Sequence, residues 1–589
     1  IIGLVASASG QTDYPPGRDN AAVPKPAARD WAKGHDPSSK LGLIEWLISG
    51  CDLNGQGCQT NHQHVREYEG YDGWYNNRAR PDLGAIDTPL LRRLPVAYSD
   101  GSYQPSGGKR PNPLTLSEQL MNGTIGTASV TGKSALLVFF GQQIVEELLD
   151  VQRPGCPPEY FNIKIPEGHP LSGLVPEHPL LRSRYSAETG SSPNNPRQQL
   201  NEITPWIDGG LTYGTSKAWS DVLRTFRNGT VAPYGQLAYS HGGLFPEYND
   251  AKLPLANPPP PTDHYLKPVE RFFMLGNPRG NENPFILTMG ILWFRWHNHV
   301  ARYLAKKHPD WSSDKVFNEA RKWVIAVHQN IVLYEWLPNW LGSNIDPYKG
   351  YQPYVDPQVT EIFQTAAMRF GHTLVTPGVY RRHFSREGCD LVPPLQIVPQ
   401  ERHAAGVRTC NFFWNPQDPI LEKIDDASGS DQIVDIDRIL MGLASQISER
   451  EDNVIVPDLR GGVFGPLELS RRDLMAMNIQ RARDHGLPDY NTARREFGLP
   501  PVKSFADFLN VTGSKVGEFD PQVIARLAQV YNNSTDDIDV WVGGLLETTR
   551  FPGQLFQAVL RDQFSRIRDG DRFWFENLNN GLFNYNEIQ

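Results

Sequence analysis

The sequence predicts a mainly α protein, a single large helical domain with long loops and little β structure. Three observations carry that prediction. Apolar residues recur at helical spacing over a series of long segments. Strand-type alternation is rare and short. Gly (52) and Pro (49) punctuate the stretches between the periodic segments. The chain of 589 residues has no internal repeat and no low-complexity run. It is long enough to bury one very large core.

Taken in order, Ile1–Gly10 is apolar and then small, as in the tail of a secretory signal (1–10). Residues 11–65 read as an N-terminal loop region. Within them Asp52-Leu-Asn-Gly-Gln-Gly-Cys58 has a faint calcium-loop look but lacks the closing Glu. The main domain is expected over 66–589. Ser134–Leu149 is its first strong helix; 150–200 is Pro-rich loop, and 253–264 is an exposed connector. Helices are then expected at 284–307, 313–340, 356–374, 433–449, 466–484, 520–532 and 553–567, several of them apolar on most of their surface and so buried.

Composition narrows the function classes. A net charge of −9 and a pI near 6.0 give no support for nucleic acid or an anionic membrane as partner. No apolar run reaches the roughly 18 residues that span a bilayer. Sequons at Asn122, Asn228, Asn510, Asn532 and Asn533, together with the leader, favour an extracellular or lumenal chain. In an oxidising compartment Cys51–Cys58 and Cys389–Cys410 are the pairs that close short loops. That leaves Cys156 either free or bonded to something outside this chain.

The chemistry concentrates in a few segments. In Ala366–Val375, Arg369 and His372 are three apart and on a helix share a face. Asn478 and Arg481 repeat that spacing, and so do Arg279 and Glu282. The first strong helix adds Gln142 and Glu146, one turn apart. A buried metallocofactor carrying carboxylates needs this set: an axial imidazole, a group that orients its second nitrogen, and guanidinium forks. Peroxide activation adds a proton acceptor and a cation on the opposite face.

These residues carry a resemblance. Phe140-Gly-Gln142, Arg279–Glu282, Leu292–Asn298, Arg369-Phe-Gly-His372-Thr, Asn478–Asn491 and Arg568–Asn577 occur in the order found in the animal haem peroxidase superfamily, over nearly the whole chain. Within it, YDGWYNN at 71–77, Trp293–Asn298, Leu333–Pro338 and Asn577–Phe583 most resemble the extracellular peroxidase domain of dual oxidases. The resemblance implies haem b with His372 as proximal ligand and Asn478 as its hydrogen-bond partner. Arg369 and Arg481 would face the propionates, Arg279 and Gln142 would be distal groups, and Glu282 would be the glutamate that forms a haem ester. His297 is read as structural, because the family places its ligand in the Arg-Phe-Gly-His segment. A calcium site is implied from Thr204, Trp206, Asp208, Gly210 and Glu147, with Gly210 able to give only its carbonyl.

One departure matters. After Gly-Gln the family reads Asp-His-Asp; here Val145, Glu146 and Glu147 stand instead. The distal His is replaced by Glu146, and Val145 cannot form the second ester. Glu146 acting as acid–base group is one reading, since a dry pocket raises a carboxyl pKa. Loss of efficient peroxide cleavage is the other. Two functions follow as expectations. The first is a peroxidase-type domain of a hydrogen-peroxide-generating oxidase, oxidising phenolic donors. The second is a non-catalytic ectodomain that supports folding, surface delivery and peroxide release of a membrane NADPH oxidase half. Either implies that half as partner, with Cys156 as candidate disulfide, and a dual oxidase maturation factor as another.

Overall fold

The structure is a computed structural model. It describes residues 67–588 except 170–171, 174, 257–268, 386–387, 392–406, 409–411, 414–415, 422, 426–430, 434–435, 463–471 and 509–520. The expected leader and loop region (1–66), the Cys51–Cys58 pair, the Cys389 side chain, Cys410 and the Asn510 sequon lie outside the described residues. The sequons at Asn122, Asn228, Asn532 and Asn533 are exposed, as is Cys156.

Helices dominate, and one contiguous apolar core runs from Leu90 to Phe583. The helices used below are α1 (Ala135–Leu148), α2 (Pro284–Lys307), α3 (Ser313–Asn330), α4 (Glu361–Thr365), α5 (Asp437–Ser445), α6 (Leu474–Asp484) and α7 (Gln554–Asp569); α1, α4 and α6 give side chains to the cavity described below. Strands among the described residues form only two-stranded antiparallel pairs, such as Thr88–Pro89 with Leu200–Asn201 and Ile163–Lys164 with Glu177–His178.

Local signals explain the well-placed boundaries. Asn283 caps α2 by accepting from the Phe285 and Ile286 N–H groups at 3.0 and 3.1 Å, and Pro284 takes the first turn, where no donor is needed. Ser312 caps α3. That helix runs on through a π-helical stretch, Ile331–Trp336, to Leu341, where Gly342 in the left-handed region ends it.

Three expected helices are corrected. The expected 356–374 helix is broken. Val359 and Thr360 are extended, because the Leu91 N–H donates to the Val359 carbonyl at 2.9 Å and the Thr360 N–H to Gln563 Oε1 at 2.9 Å. Thr360 then caps α4; Ala366 leaves helical geometry, and Ala367–Leu374 is a 3₁₀ helix. The 433–449 helix shrinks to α5, since 446–449 pairs with the chain before α1: Ala135 N–H to Gln446 O at 2.8 Å, Ser448 N–H to Lys133 O at 2.8 Å. Of the expected 466–484 helix, 466–471 lie outside the described residues; beyond them α6 starts at Leu474, where Asp473 accepts from the Met475 and Ala476 N–H groups. The other expected helices stand within a few residues of their expected ends.

Helix α7 supports the 3₁₀ segment from behind. Phe564 packs edge-on to Phe363 at 5.7 Å, and Gln563 Nε2 donates to the Pro357 carbonyl at 3.0 Å.

Candidate functional site

One cavity of about 720 Å³ gathers the expected residues. Its wall includes Gln142 and Glu146 from α1, Arg279 and Glu282 before α2, Arg369 and His372 from the 3₁₀ segment, and Arg481 from α6. Its size falls in the roughly 300–1,000 Å³ range of small-molecule and cofactor sites.

On the α1 side, consecutive positions on a helix diverge by about 100°, so Glu146 and Glu147 serve different neighbours. Glu146 Oε2 lies 2.6 Å from Arg279 Nε. The same nitrogen is 3.4 Å from Asp150 Oδ2, and Arg279 Nη2 donates to the Leu149 carbonyl at 2.7 Å. Asn277 fixes this contact: its Nδ2 donates to the Glu146 carbonyl at 2.7 Å, and its Oδ1 accepts from the Arg279 N–H at 2.8 Å. Burial lifts the Glu146 carboxyl to about 8 against the pull of Arg279, with Glu282 and Asp150 adding repulsion. Gln142 Nε2 donates to Glu282 Oε1 at 3.0 Å, and burial raises Glu282 as well. Val145 also lines the cavity, and brings no carboxylate to it.

On the opposite side, the 3₁₀ geometry puts residues three apart in register, so Arg369 and His372 both reach the cavity. Asn478, one turn before Arg481 on α6, stands with Nδ2 2.8 Å from His372 Nδ1. Arg369 Nη1 donates to Asn478 Oδ1 at 2.6 Å, and its Nε donates to the Gln364 carbonyl at 2.9 Å. A guanidinium has no acceptor, so this contact fixes the amide orientation. The amide N–H therefore faces Nδ1, and the ring proton sits on Nε2. Burial and Arg369 push His372 down to about 3, keeping the imidazole neutral. Arg481 Nη1 is engaged by the Leu181 carbonyl at 2.8 Å, Ser183 Oγ at 3.0 Å and Asp484 Oδ2 at 3.2 Å.

Three features fit a flat cofactor carrying carboxylates and held by an imidazole. The His372 ring reaches the cavity wall with Nδ1 already occupied. Arg369 lies on that wall with no carboxylate partner among the described residues, and burial with Arg481 and Arg279 lowers it to about 9. Trp340, beside Gly371, keeps a buried indole N–H without an acceptor. Iron ligation by Nε2 would need the amide of Asn478 inverted, with its oxygen toward an Nδ1 proton.

His297 is structural, as the sequence reading has it. Its Nδ1 meets the Tyr213 hydroxyl at 2.9 Å and its Nε2 the Gly235 carbonyl at 3.0 Å, so both nitrogens are used.

The expected calcium set also converges, though its members do different jobs. Thr204 Oγ1 donates to Asp208 Oδ2 at 2.7 Å. Glu147, however, is saturated by loop N–H groups: Gly209 and Gly210 (3.0 Å) on Oε1, Leu211 (3.1 Å) on Oε2. Burial lifts Glu147 to about 7 and, with the Glu147 charge, raises Asp208. A dry excess of carboxylate suits a cation, and Glu147 also orients the loop through these contacts.

Sequence reasoning missed Asp150, Asn277 and Arg472. Asp150 carried a usable signal in lying four residues after Glu146, although α1 ends at Leu148 and the extended Leu149 leads to it; Arg472 carried none.

The animal haem peroxidase family matches residues 68–589. The chain is 41% identical to the dual oxidase of Drosophila melanogaster over 583 residues, 97% of this chain and 35% of that protein. It is 40% identical to dual oxidase 1 of Homo sapiens over 530 residues, 89% of this chain and 32% of that protein. It thus spans about a third of the length of these curated relatives. Peroxidase A from Dictyostelium discoideum superposes with a TM-score of 0.73 at 28% identity, covering 89% of this chain and 96% of that one. A fatty acid alpha-dioxygenase of Arabidopsis thaliana, at 16% identity and a TM-score of 0.66, shares the fold and covers 90% of this chain and 80% of that one. With the match running through every segment that walls the cavity, the chain belongs to the animal haem peroxidase family.

Proposed function

We propose that this chain is the extracellular peroxidase-type domain of a dual oxidase-like protein, and that it binds haem b through His372 and works with a distal carboxylate. The observation that carries the reading is the Glu146–Arg279 pair, 2.6 Å apart, sharing a cavity with the His372–Asn478 contact. Bound haem would supply the redox iron for cleaving hydrogen peroxide. Glu146 Oε2 takes a proton from hydrogen peroxide and returns it to the leaving oxygen. Arg279 stabilises the charge that develops as the O–O bond breaks. Asn478 orients the imidazole, and Arg369 and Arg481 face the carboxylates of the cofactor. Glu282, held by Gln142, is the residue for an ester. Phenols are the donors of this reading.

A calcium ion would be held by Thr204, Asp208 and the carbonyls of Trp206 and Gly210, with Glu147 bracing the loop. The NADPH oxidase half that makes peroxide would be a separate part of the longer protein, tied to this domain through exposed Cys156. A dual oxidase maturation factor is a further partner. No helix among the described residues is long and apolar enough to cross a membrane.

A second reading is favoured by the same ion pair. Arg279 and Glu146 neutralise one another, which suits a weakly active or non-catalytic ectodomain that aids surface delivery of the oxidase. Glu146→Gln separates the two. The catalytic reading expects a Soret band in both proteins and a loss of peroxide reactivity of about 10²–10⁴-fold in the variant. In the parent, reactivity rises as pH increases through about 8, where Glu146 becomes a base. A Soret band with equal reactivity in both proteins sinks it.

A further inference from the structure

One guanidinium, that of Arg279, stands among three carboxyls that line the cavity: Glu146, Asp150 and Glu282. Glu282 has its own donor in Gln142 Nε2, 3.0 Å away. The other two meet a single nitrogen. Arg279 Nε lies 2.6 Å from Glu146 Oε2 and 3.4 Å from Asp150 Oδ2. One cation balances one carboxylate, so in a dry wall one of these two acids is in excess.

The two acids are held differently. The Arg279 Nε–H is aimed at Asn277 Oδ1, at 3.4 Å, and Nη2 donates to the Leu149 carbonyl at 2.7 Å. Glu146 Oε2 is left buried with no hydrogen-bond donor among the described residues, although it is the oxygen nearer the guanidinium. Its contact with Arg279 is one of charge alone. Asp150 is fixed by three hydrogen bonds. Its N–H donates to Asn201 Oδ1 at 2.9 Å, its carbonyl accepts from the Glu202 N–H at 2.8 Å, and its Oδ1 accepts from the Gln152 N–H at 3.1 Å. Asn201 is itself tied to the end of α1, donating to the Leu148 carbonyl at 3.0 Å. That leaves Oδ2 as the Asp150 oxygen turned to Arg279. A donor on a carboxylate favours its charged form, and a dry carboxyl oxygen without one favours the protonated form. Burial works against the Arg279 charge, and the carboxylates outweigh it, Asp150 first.

We propose that Asp150 is the charged partner of Arg279 and that it thereby leaves Glu146 free to hold and release a proton at the cavity wall. Asp150 is a positioning residue, acting through Arg279 and Glu146 without touching the peroxide. The inference rests on the reading of Glu146 as the acid–base group, and it decides against the alternative in which Glu146 and Arg279 cancel. Other charged groups face this trio. Glu282 adds repulsion to Glu146. Glu202, bonded to the Asp150 backbone, is matched by Arg153 Nε at 3.0 Å and Arg184 Nε at 3.5 Å. Arg369 stands on the opposite wall. Taking the charge off Asp150 removes a repulsion from Glu146 and gives it Arg279 undivided. Both changes favour the ionised carboxylate, so Glu146 should lose its proton at lower pH.

The test reads the proton on Glu146 directly. Infrared difference spectra of the haem-free 589-residue chain, grown with isotope-labelled glutamate, follow the carbonyl stretch of protonated glutamate. The part that Glu146→Gln removes belongs to Glu146. The parent should keep this band at neutral pH and lose it through about 8. Asp150→Asn and Asp150→Ser should lose it at least about one pH unit lower. Both substitutions keep an acceptor for the Gln152 N–H, and urea unfolding shows that they fold. In the haem-loaded variants the rise of peroxide reactivity with pH should begin lower by the same interval. A parent without the Glu146 band at neutral pH would make Glu146 the ionised partner and overturn the inference in favour of the cancelled pair. This measurement decides even where a variant fails to fold. A band that keeps the parent's midpoint in folded Asp150 variants overturns it as well. Failure of the haem reading looks different: no Soret band on adding haem, with the infrared shifts as expected, removes the peroxide chemistry and keeps the division of charge.

Discussion

Replacing Arg369 by Met tests whether its charge is kept for a ligand. Burial and two neighbouring arginines lower this guanidinium from 12.5 to about 9. At about 1.4 kcal/mol per unit, that is an upper limit of about 5 kcal/mol held against the haem-free protein. The side chain is open to the cavity, where water screens it, so roughly half that figure is reasonable. Against it stand two hydrogen bonds, to the Gln364 carbonyl and Asn478 Oδ1, worth about 1.5 kcal/mol each. The terms nearly cancel. Arg369→Met should therefore change the stability of the haem-free chain by less than about 1 kcal/mol, as read by urea unfolding. Breaking a buried ion pair would cost about 3–5 kcal/mol instead. Haem affinity should meanwhile fall by about 10–100-fold. A destabilisation of about 3 kcal/mol or more without haem, the ion-pair scale, or unchanged haem affinity, would refute the reasoning.

Further predictions concern the frame around the cavity. Asp539 is held by Arg483 Nη2 at 2.8 Å, Arg110 at 3.1 Å and the Tyr531 hydroxyl at 2.8 Å, with its pKa drawn down to about 2. A depressed carboxylate stabilises above its unfolded value of 3.8 and loses that as pH falls through about 2; acid titration of unfolding should show about 2 kcal/mol lost across that window, and Asp539→Asn should remove the dependence while costing about 3–5 kcal/mol at neutral pH. Gly276→Ala would press a Cβ against the Gly210 carbonyl and the Gly214 nitrogen, well inside van der Waals contact. It should cost about 1–3 kcal/mol by urea unfolding and weaken haem binding, because the same turn carries Arg279. Calcium at about 100 times its dissociation constant should add about 2.7 kcal/mol, visible as a melting temperature that EGTA lowers and calcium restores; no shift in either direction removes the ion from this account.

What was legible in the sequence followed from spacing. Gln142 and Glu146, Arg279 and Glu282, Asn478 and Arg481 were each paired by periodicity alone. The structure turns the first two pairs and Arg481 toward one cavity, and sets Asn478 against the His372 ring. The Arg369–His372 pair arrived by another route, since the expected α-helix over 356–374 is broken at Ala366. Nothing in Ala366-Ala367 announces that break, because alanine is a strong helix former. The cause is tertiary: Leu91 and Gln563 hold Val359 and Thr360 extended, and Arg369 takes up the freed Gln364 carbonyl. The C-terminal end of α5 was missed for the same kind of reason, since 446–449 pairs with the segment just before α1, remote in sequence. Arg472 was invisible because an unpaired charge is defined by what fails to surround it, and periodicity carries no information on that.

The brace that α7 gives the 3₁₀ segment has a consequence for any shortened form of this chain. Gln563 and Phe564 lie about 200 residues along the chain from the segment they support, yet they fix the strand-like entry to the imidazole-bearing turn. A product ending before residue 553 would keep every residue proposed to touch the cofactor and still lose the wall behind His372. Haem capture by such a fragment should fail for want of α7, with no missing ligand to blame.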